Sequence, residues 1–156
     1  MPQNRKFQNF VENKFMADDA VGAAELVDDA VGNAALAAAH PKHAKFTYDF
    51  ATDGGAVSSI TLGTLPDKAI VTGGHAEVEA AVTSSGSATV ALGLVANTDA
   101  FVAATAKGSL TLNTVLATSN DLPLKMSGDT PVLATIATAA LTAGKINLFV
   151  EYYEGA

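Results

Sequence analysis

From residue 45 onward, apolar and polar side chains alternate in short runs broken by turn residues, the pattern of half-buried β-strands. In Lys45-Phe46-Thr47-Tyr48-Asp49-Phe50 the alternation puts Phe46, Tyr48 and Phe50 on one face, and Asp53-Gly54-Gly55 then turns the chain. A short run at 57–62 ends before Pro66-Asp67. Runs at 68–72 and 75–83 join across Gly73-Gly74, with Val78, Ala80 and Val82 on one face and Glu77 and Glu79 on the other. A glycine pair inside one long β segment predicts a bulge or bend. Ser84-Ser85-Gly86-Ser87 reads as a hairpin loop, and 88–95 returns with Val90, Leu92 and Leu94 inward. Residues 101–106 read as one helical turn of small residues. Strands at 109–116, 122–126, 132–138 and 145–153 complete the set, with turns at 127–131 and Thr142-Ala143-Gly144. About eight short strands at this spacing predict an all-β antiparallel sandwich or barrel over 45–156.

Residues 1–44 follow a different pattern and are expected to form an N-terminal arm. Phe7, Phe10 and Val11, with Lys14 next in the series, keep the i, i+3, i+4, i+7 spacing of a short amphipathic helix. So short a helix is not stable alone, so its aromatics must pack on the chain's own body or on a partner. Two decapeptides then follow in tandem, Asp-Asp-Ala-Val-Gly-Ala-Ala-Glu-Leu-Val from Asp18 and Asp-Asp-Ala-Val-Gly-Asn-Ala-Ala-Leu-Ala from Asp28, identical at seven of ten positions. Val21, Leu26, Val31 and Leu36 recur every five residues, which fits neither a helix nor a strand. Repeats this short gain stability by stacking on neighbours or on other subunits. The other reading is an irregular Ala-rich helical linker. His40-Pro41 ends the region.

Composition narrows the function. The chain carries 9 Lys plus Arg against 16 Asp plus Glu, a net charge of −7, which is unsuited to a sequence-independent grip on nucleic acid. The charge is uneven. Residues 1–16 sum to +2, whereas 46–156 sum to −6. Without Cys there is no disulfide, Cys-zinc site or thiol nucleophile. No apolar run is long enough to span a bilayer as a helix, and the basic start lacks the apolar core of a secretory signal, so synthesis in the cytosol and no membrane contact are expected. Thirty-one residues are Ala and only 16% are charged, the balance of a structural module that hides surface in an assembly rather than of a free-standing enzyme.

No catalytic pattern emerges. Glu77 and Glu79 share a strand face, but it is the one opposite the apolar side chains, where a solvated role is expected. His40 and His43 have no carboxylate beside them, and His75 has no partner in sequence, so no metal site is expected. G-x-S-x-G, phosphate-loop and EF-hand spacings are missing. No cofactor is expected.

Several segments resemble small virion proteins of tailed bacteriophages: Gly63-Thr64-Leu65-Pro66-Asp67-Lys68-Ala69-Ile70-Val71, Ser87-Ala88-Thr89-Val90-Ala91-Leu92-Gly93, the stretch from Asn97 through Phe101 to Ala104, and the ending from Ala140 to Tyr152. The decapeptides resemble repeats of phage fibre stems and head-attached proteins. Within that group the chain is similar to capsid decoration (cement) proteins. The resemblance implies a jelly-roll-like body, a homotrimer and a place on the capsid exterior. It also implies the major capsid protein as partner, with no catalytic residues. On that reading Phe7, Phe10 and Phe15 anchor the arm, and Val21, Leu26, Val31 and Leu36 fill shallow grooves. Arg5, Lys6 and Lys14 meet acidic sites on the shell. The alternative is a phage fibre or knob protein binding a host receptor or glycan, with Phe101, Tyr152 and Tyr153 as its aromatic candidates.

Overall fold

The alternation of the sequence becomes two antiparallel sheets packed face to face. The computed structural model describes residues 40–118 and 121–155. Its elements are β1 (Lys42–Asp49), α1 (Phe50–Asp53), β2 (Ser59–Leu65), β3 (Ala69–Ser84), β4 (Thr89–Leu94), β5 (Val102–Ala106), a 3-10 turn (Lys107–Ser109), β6 (Val115–Ala117), β7 (Leu124–Lys125), β8 (Thr130–Ala137) and β9 (Leu141–Glu154). The first sheet has the order β1-β9-β3-β6, with β7 also paired to β3, and the second has the order β2-β8-β4-β5. Every pairing is antiparallel. The predicted all-β antiparallel class is the one observed.

The core lies between the sheets. Tyr48, Val71, Val78, Ile146 and Leu148 enter it from the first sheet, and Leu65, Val90, Leu92, Val132 and Ile136 from the second. Phe101, Leu110 and Met126 plug it from the connections. Aliphatic side chains of similar size interdigitate there, and the Tyr48 hydroxyl reaches out of the apolar layer to donate to the Gly54 carbonyl at 2.8 Å. Gly74 and Gly93 are among the glycines required by close backbone approach. A Cβ on Gly74 would lie 2.2 Å from the Phe149 carbonyl oxygen, and one on Gly93 would lie 2.4 Å from that of Asn97.

Several local expectations are corrected by tertiary pairing. β1 starts at Lys42 and stops at Asp49, so Phe50 opens α1 instead of extending the strand. The Asp49 carboxylate accepts from the Ala51 N–H at 2.9 Å, and the Asp49 N–H donates to Asp53 at 2.8 Å, which closes one helical turn. Ser84–Ser87 is not a hairpin loop, because β3 and β4 belong to different sheets and the segment crosses between them. Residues 102–106 form a strand rather than a helical turn, since β4 offers them an open edge with Val102 opposite Leu92. The strands expected at 109–116 and 122–126 shrink to β6 and β7. Thr142-Ala143-Gly144 lies inside β9, and the chain turns earlier, at Thr138, whose φ is 72°. Gly73-Gly74 does mark a register shift within one continuous strand. Further shifts around Ala80 leave it exposed, although Val78 and Val82 on either side are buried.

Two outcomes follow for the core. Leu148→Ala removes a fully buried side chain from the middle of the first sheet and is expected to cost about 2–5 kcal/mol, read from the urea midpoint of the full chain. Burial, with Asp53 and Asp49 adding to it, pushes the Tyr48 phenol from 10.0 up to about 12. The fold therefore holds the neutral phenol, and its contribution is complete below pH 10 and lost as the pH rises towards 12. Wild type should lose more stability than Tyr48→Phe across that window in alkaline urea titrations.

Candidate interaction surfaces

The residues expected to carry function from sequence, Arg5, Lys6, Phe7, Phe10, Phe15, Val21, Leu26, Val31 and Leu36, lie outside the described residues. The structure neither places them nor brings them together. What it does describe are the two outer faces of the sandwich, and these differ in chemistry.

The outer face of the first sheet is polar and cross-linked. Register sets Asp49 beside Lys145 and Thr47 beside Asn147, while Glu79 comes from β3 on the other side of β9. The Lys145 ammonium donates to Glu79 at 2.8 Å and lies 3.9 Å from Asp49. Asn147, a buried polar residue, is satisfied at both ends. Its amide nitrogen donates to Glu79 at 2.8 Å, and its carbonyl oxygen accepts from the Thr47 hydroxyl at 2.9 Å. Lys145 and Asn147 hold the Glu79 carboxyl below its ordinary range, and Glu79 in turn holds the Lys145 ammonium above its own. Glu79 is thus a fixed anion bracing two strands. A general acid would instead need a raised pKa, so Glu79 has the arrangement of a surface brace.

One row further along, the His75 ring stacks on Phe149 with centroids 4.9 Å apart, and Lys45 sits 5.5 Å over the same ring. Phe149 is therefore covered on the outer face by neighbouring side chains. Beside it, His43, Gly74, His75, Phe149, Val150 and Glu151 line a shallow cleft of about 240 Å³. Among the described residues no group of three or more His, Asp or Glu side chains is placed to hold a metal ion. Phe101, the aromatic candidate in a connection, is fully buried and presents no platform to a ligand.

The outer face of the second sheet carries no charge at all. Not one residue of β2 (SITLGTL), β4 (TVALGL), β5 (VAATA) or β8 (TPVLATIA) is ionisable. Register lays Ser59, Thr135 and Ala91 in one row pointing away from the core and Thr61, Leu133 and Gly93 in the next, but only the β2 end is open: Ser59 and Thr61 are exposed, whereas Ala91, Gly93 and Leu133 are buried, with the backbone of Asn97–Asp99 lying against Gly93. The Ser59 and Thr135 hydroxyls bond to each other at 2.9 Å. In sequence this face is the set of positions that alternate with the core residues, and its signal was the absence of Lys and Glu from exactly the positions where a solvated strand usually carries them.

The brace on the first sheet has a pH signature. Because the Glu79 carboxyl is held low in the folded state, its contribution is present above the ordinary carboxylate range and lost as the pH falls through the folded value. Glu79→Gln should lower the urea midpoint at neutral pH, and its difference from wild type should close on acidification.

No family model matches this sequence, and no curated protein sequence matches it. Similarity to solved structures is found in the fold. A chain of the cyanophage Pam1 capsid asymmetric unit superposes with a TM-score of 0.56 at 21% identity, covering 74% of this chain and 86% of that one. A chain of the capsid of Ralstonia phage GP4 gives 0.58 at 19% identity, covering 76% and 87%. A chain of the acidic stable capsid structure of Helicobacter pylori bacteriophage KHP30 gives 0.54 at 18% identity, covering 72% and 86%. What the chain shares with these three phage capsid components is its β-sandwich fold.

Proposed function

We propose that this chain is a non-enzymatic capsid decoration (cement) protein of a tailed bacteriophage, bound to the exterior of the shell as a homotrimer. The observation that carries the proposal is that three separate structures sharing its fold over about three quarters of its length are all phage capsids. The strand orders β1-β9-β3-β6 and β2-β8-β4-β5, with the chain crossing repeatedly between sheets, support reading the body as a jelly roll. The low share of charged residues, 16%, supports a life in an assembly, since a free-standing domain ordinarily carries about 25%.

On this reading the body provides a rigid block and residues 1–40 bridge subunits of the major capsid protein. Phe7, Phe10 and Phe15 supply the buried anchors, and Arg5 and Lys6 meet acidic shell sites. Val21, Leu26, Val31 and Leu36 lie along the shell as small apolar knobs. Decoration strengthens the shell because one molecule gripping two subunits forces both contacts to break together when internal pressure opens the lattice.

The test is decoration of purified shells that lack the protein. Deleting residues 1–40 should leave the thermal unfolding of the body in place and weaken shell binding by at least about 100-fold, and Phe7→Ala with Phe10→Ala should account for about 10-fold or more of it. A truncated chain that decorates shells as tightly as the full one overturns the role of the arm. Binding of the full chain to host surface glycans, with no regular labelling of the shell, overturns the cement assignment.

A further inference from the structure

We infer that the side of the sandwich walled by residues 102–117 is the surface through which copies of this chain meet one another. The inference rests on the homotrimer proposed above and names its contact. β5 is one edge of the second sheet and β6 one edge of the first, and the 3-10 turn leads from one towards the other, so a single continuous stretch closes this side. The stretch follows the edge of β3 beyond β6 as well. There the Val82 N–H donates to the Leu110 carbonyl and the Val78 N–H to that of Thr114, both at 2.9 Å.

The wall is short of charge and open to solvent. From Ala80 to Asn120 the chain carries two charged residues, Asp99 and Lys107, where its own 16% would give about six. Lys107 is the one charge in the wall, and its ammonium turns back to donate to the Ser84 carbonyl. Ala103, Ala104, Ala106, Leu112, Val115 and Ala117 are all exposed. Two of them are large. Leu112 (59% exposed) stands in the turn closed by the Thr114 N–H on the Thr111 carbonyl, and Val115 (63% exposed) follows directly. Large apolar side chains this open, on a surface depleted of charge, mark a place that another protein covers. The two strand edges here also lack the lysines that guard the opposite edge of the first sheet, where β1 carries Lys42 and Lys45.

What covers the wall follows from charge and from symmetry. Residues 46–156 sum to −6, so copies repel wherever their acidic surfaces come within a Debye length of about 8–10 Å. Along the wall two copies approach without setting like charges against each other. Glu77, opposite Val115 in register, marks the border where the charged face of the first sheet begins. The apolar cover that Leu112 and Val115 need is present on the wall itself. About a three-fold axis a protruding side chain packs against its own counterparts, so each copy supplies what the next one lacks.

The full chain tests this. Native mass spectrometry and sedimentation at about 100 μM should show a trimer. Leu112→Glu with Val115→Glu should dissolve it to monomer, with an association constant lower by at least about 100-fold. Both side chains stand in solvent within one copy, so the circular dichroism of the β-sandwich should be unchanged. Val57→Glu with Thr61→Glu adds the same two charges at exposed positions before and on β2, the other edge of the second sheet, and should leave the trimer intact. Because the protein has no Cys, Ala104→Cys places a single thiol on β5 as a second readout. Its maleimide labelling should slow about 10-fold or more on going from dilute to concentrated protein, while Thr61→Cys labels at one rate. An oligomer that survives the Leu112→Glu, Val115→Glu pair overturns the wall and leaves the homotrimer standing; loss of shell binding by that pair then assigns the wall to the capsid instead. If the pair does not fold, a single labelling rate for Ala104→Cys overturns the wall by itself. A monomeric wild type overturns both the wall and the homotrimer.

Discussion

The pairing of β9 along both of its edges is the constraint on which the rest of the sandwich depends. Its fourteen residues hydrogen-bond to β1 on one side and β3 on the other, so three strands share one register. That register sets Leu148 between Phe46 and Ala76, and Ile146 between Tyr48 and Val78, all of them buried. A slip of one residue would turn the whole apolar set to the outside and draw Lys145 and Asn147 into the core. Each backbone bond contributes only about 0.5–1.5 kcal/mol, but the agreement of register with side-chain pattern on three strands makes the arrangement unique.

The same register builds the surface brace. Lys145, Asn147, Thr47 and Glu79 come from three strands and meet because β9 holds its neighbours in step. Strand charge is thereby concentrated and neutralised locally on the first sheet, while the strands of the second sheet carry no ionisable side chain.

Strand positions were legible wherever alternation ran undisturbed. Phe46 and Tyr48, and Val90, Leu92 and Leu94, were readable as sharing an inward face because a period of two needs no knowledge of the partner strand. Turn chemistry was a poorer guide. Gly144 and Ser84–Ser87 carry the residue types of a turn and a hairpin loop, yet one sits inside a strand and the other leads from sheet to sheet. Glycine marks backbone that must bend or be approached closely, and bulges use it as readily as turns do. The small residues of β5 show the converse, as nothing in Val-Ala-Ala-Thr-Ala demands a strand until β4 offers an edge to pair with. The aromatic and basic residues of the arm, from Arg5 to Leu36, were singled out by sequence alone and lie outside the described residues.

By itself the sequence determined the all-β class, the acidic charge of residues 46–156 beside a basic aromatic start, and the inward faces of β1 and β4. All of these follow from local periodicity and composition. Only the tertiary structure decided which strands share a sheet, that Glu79 braces β3 to β9, and that the uncharged strands lie side by side. Those outcomes depend on contacts such as Glu79 with Lys145, 66 residues apart, and Ser59 with Thr135, 76 apart. Such contacts leave no local periodicity, because the energy that fixes them is gained only when distant segments close on one another.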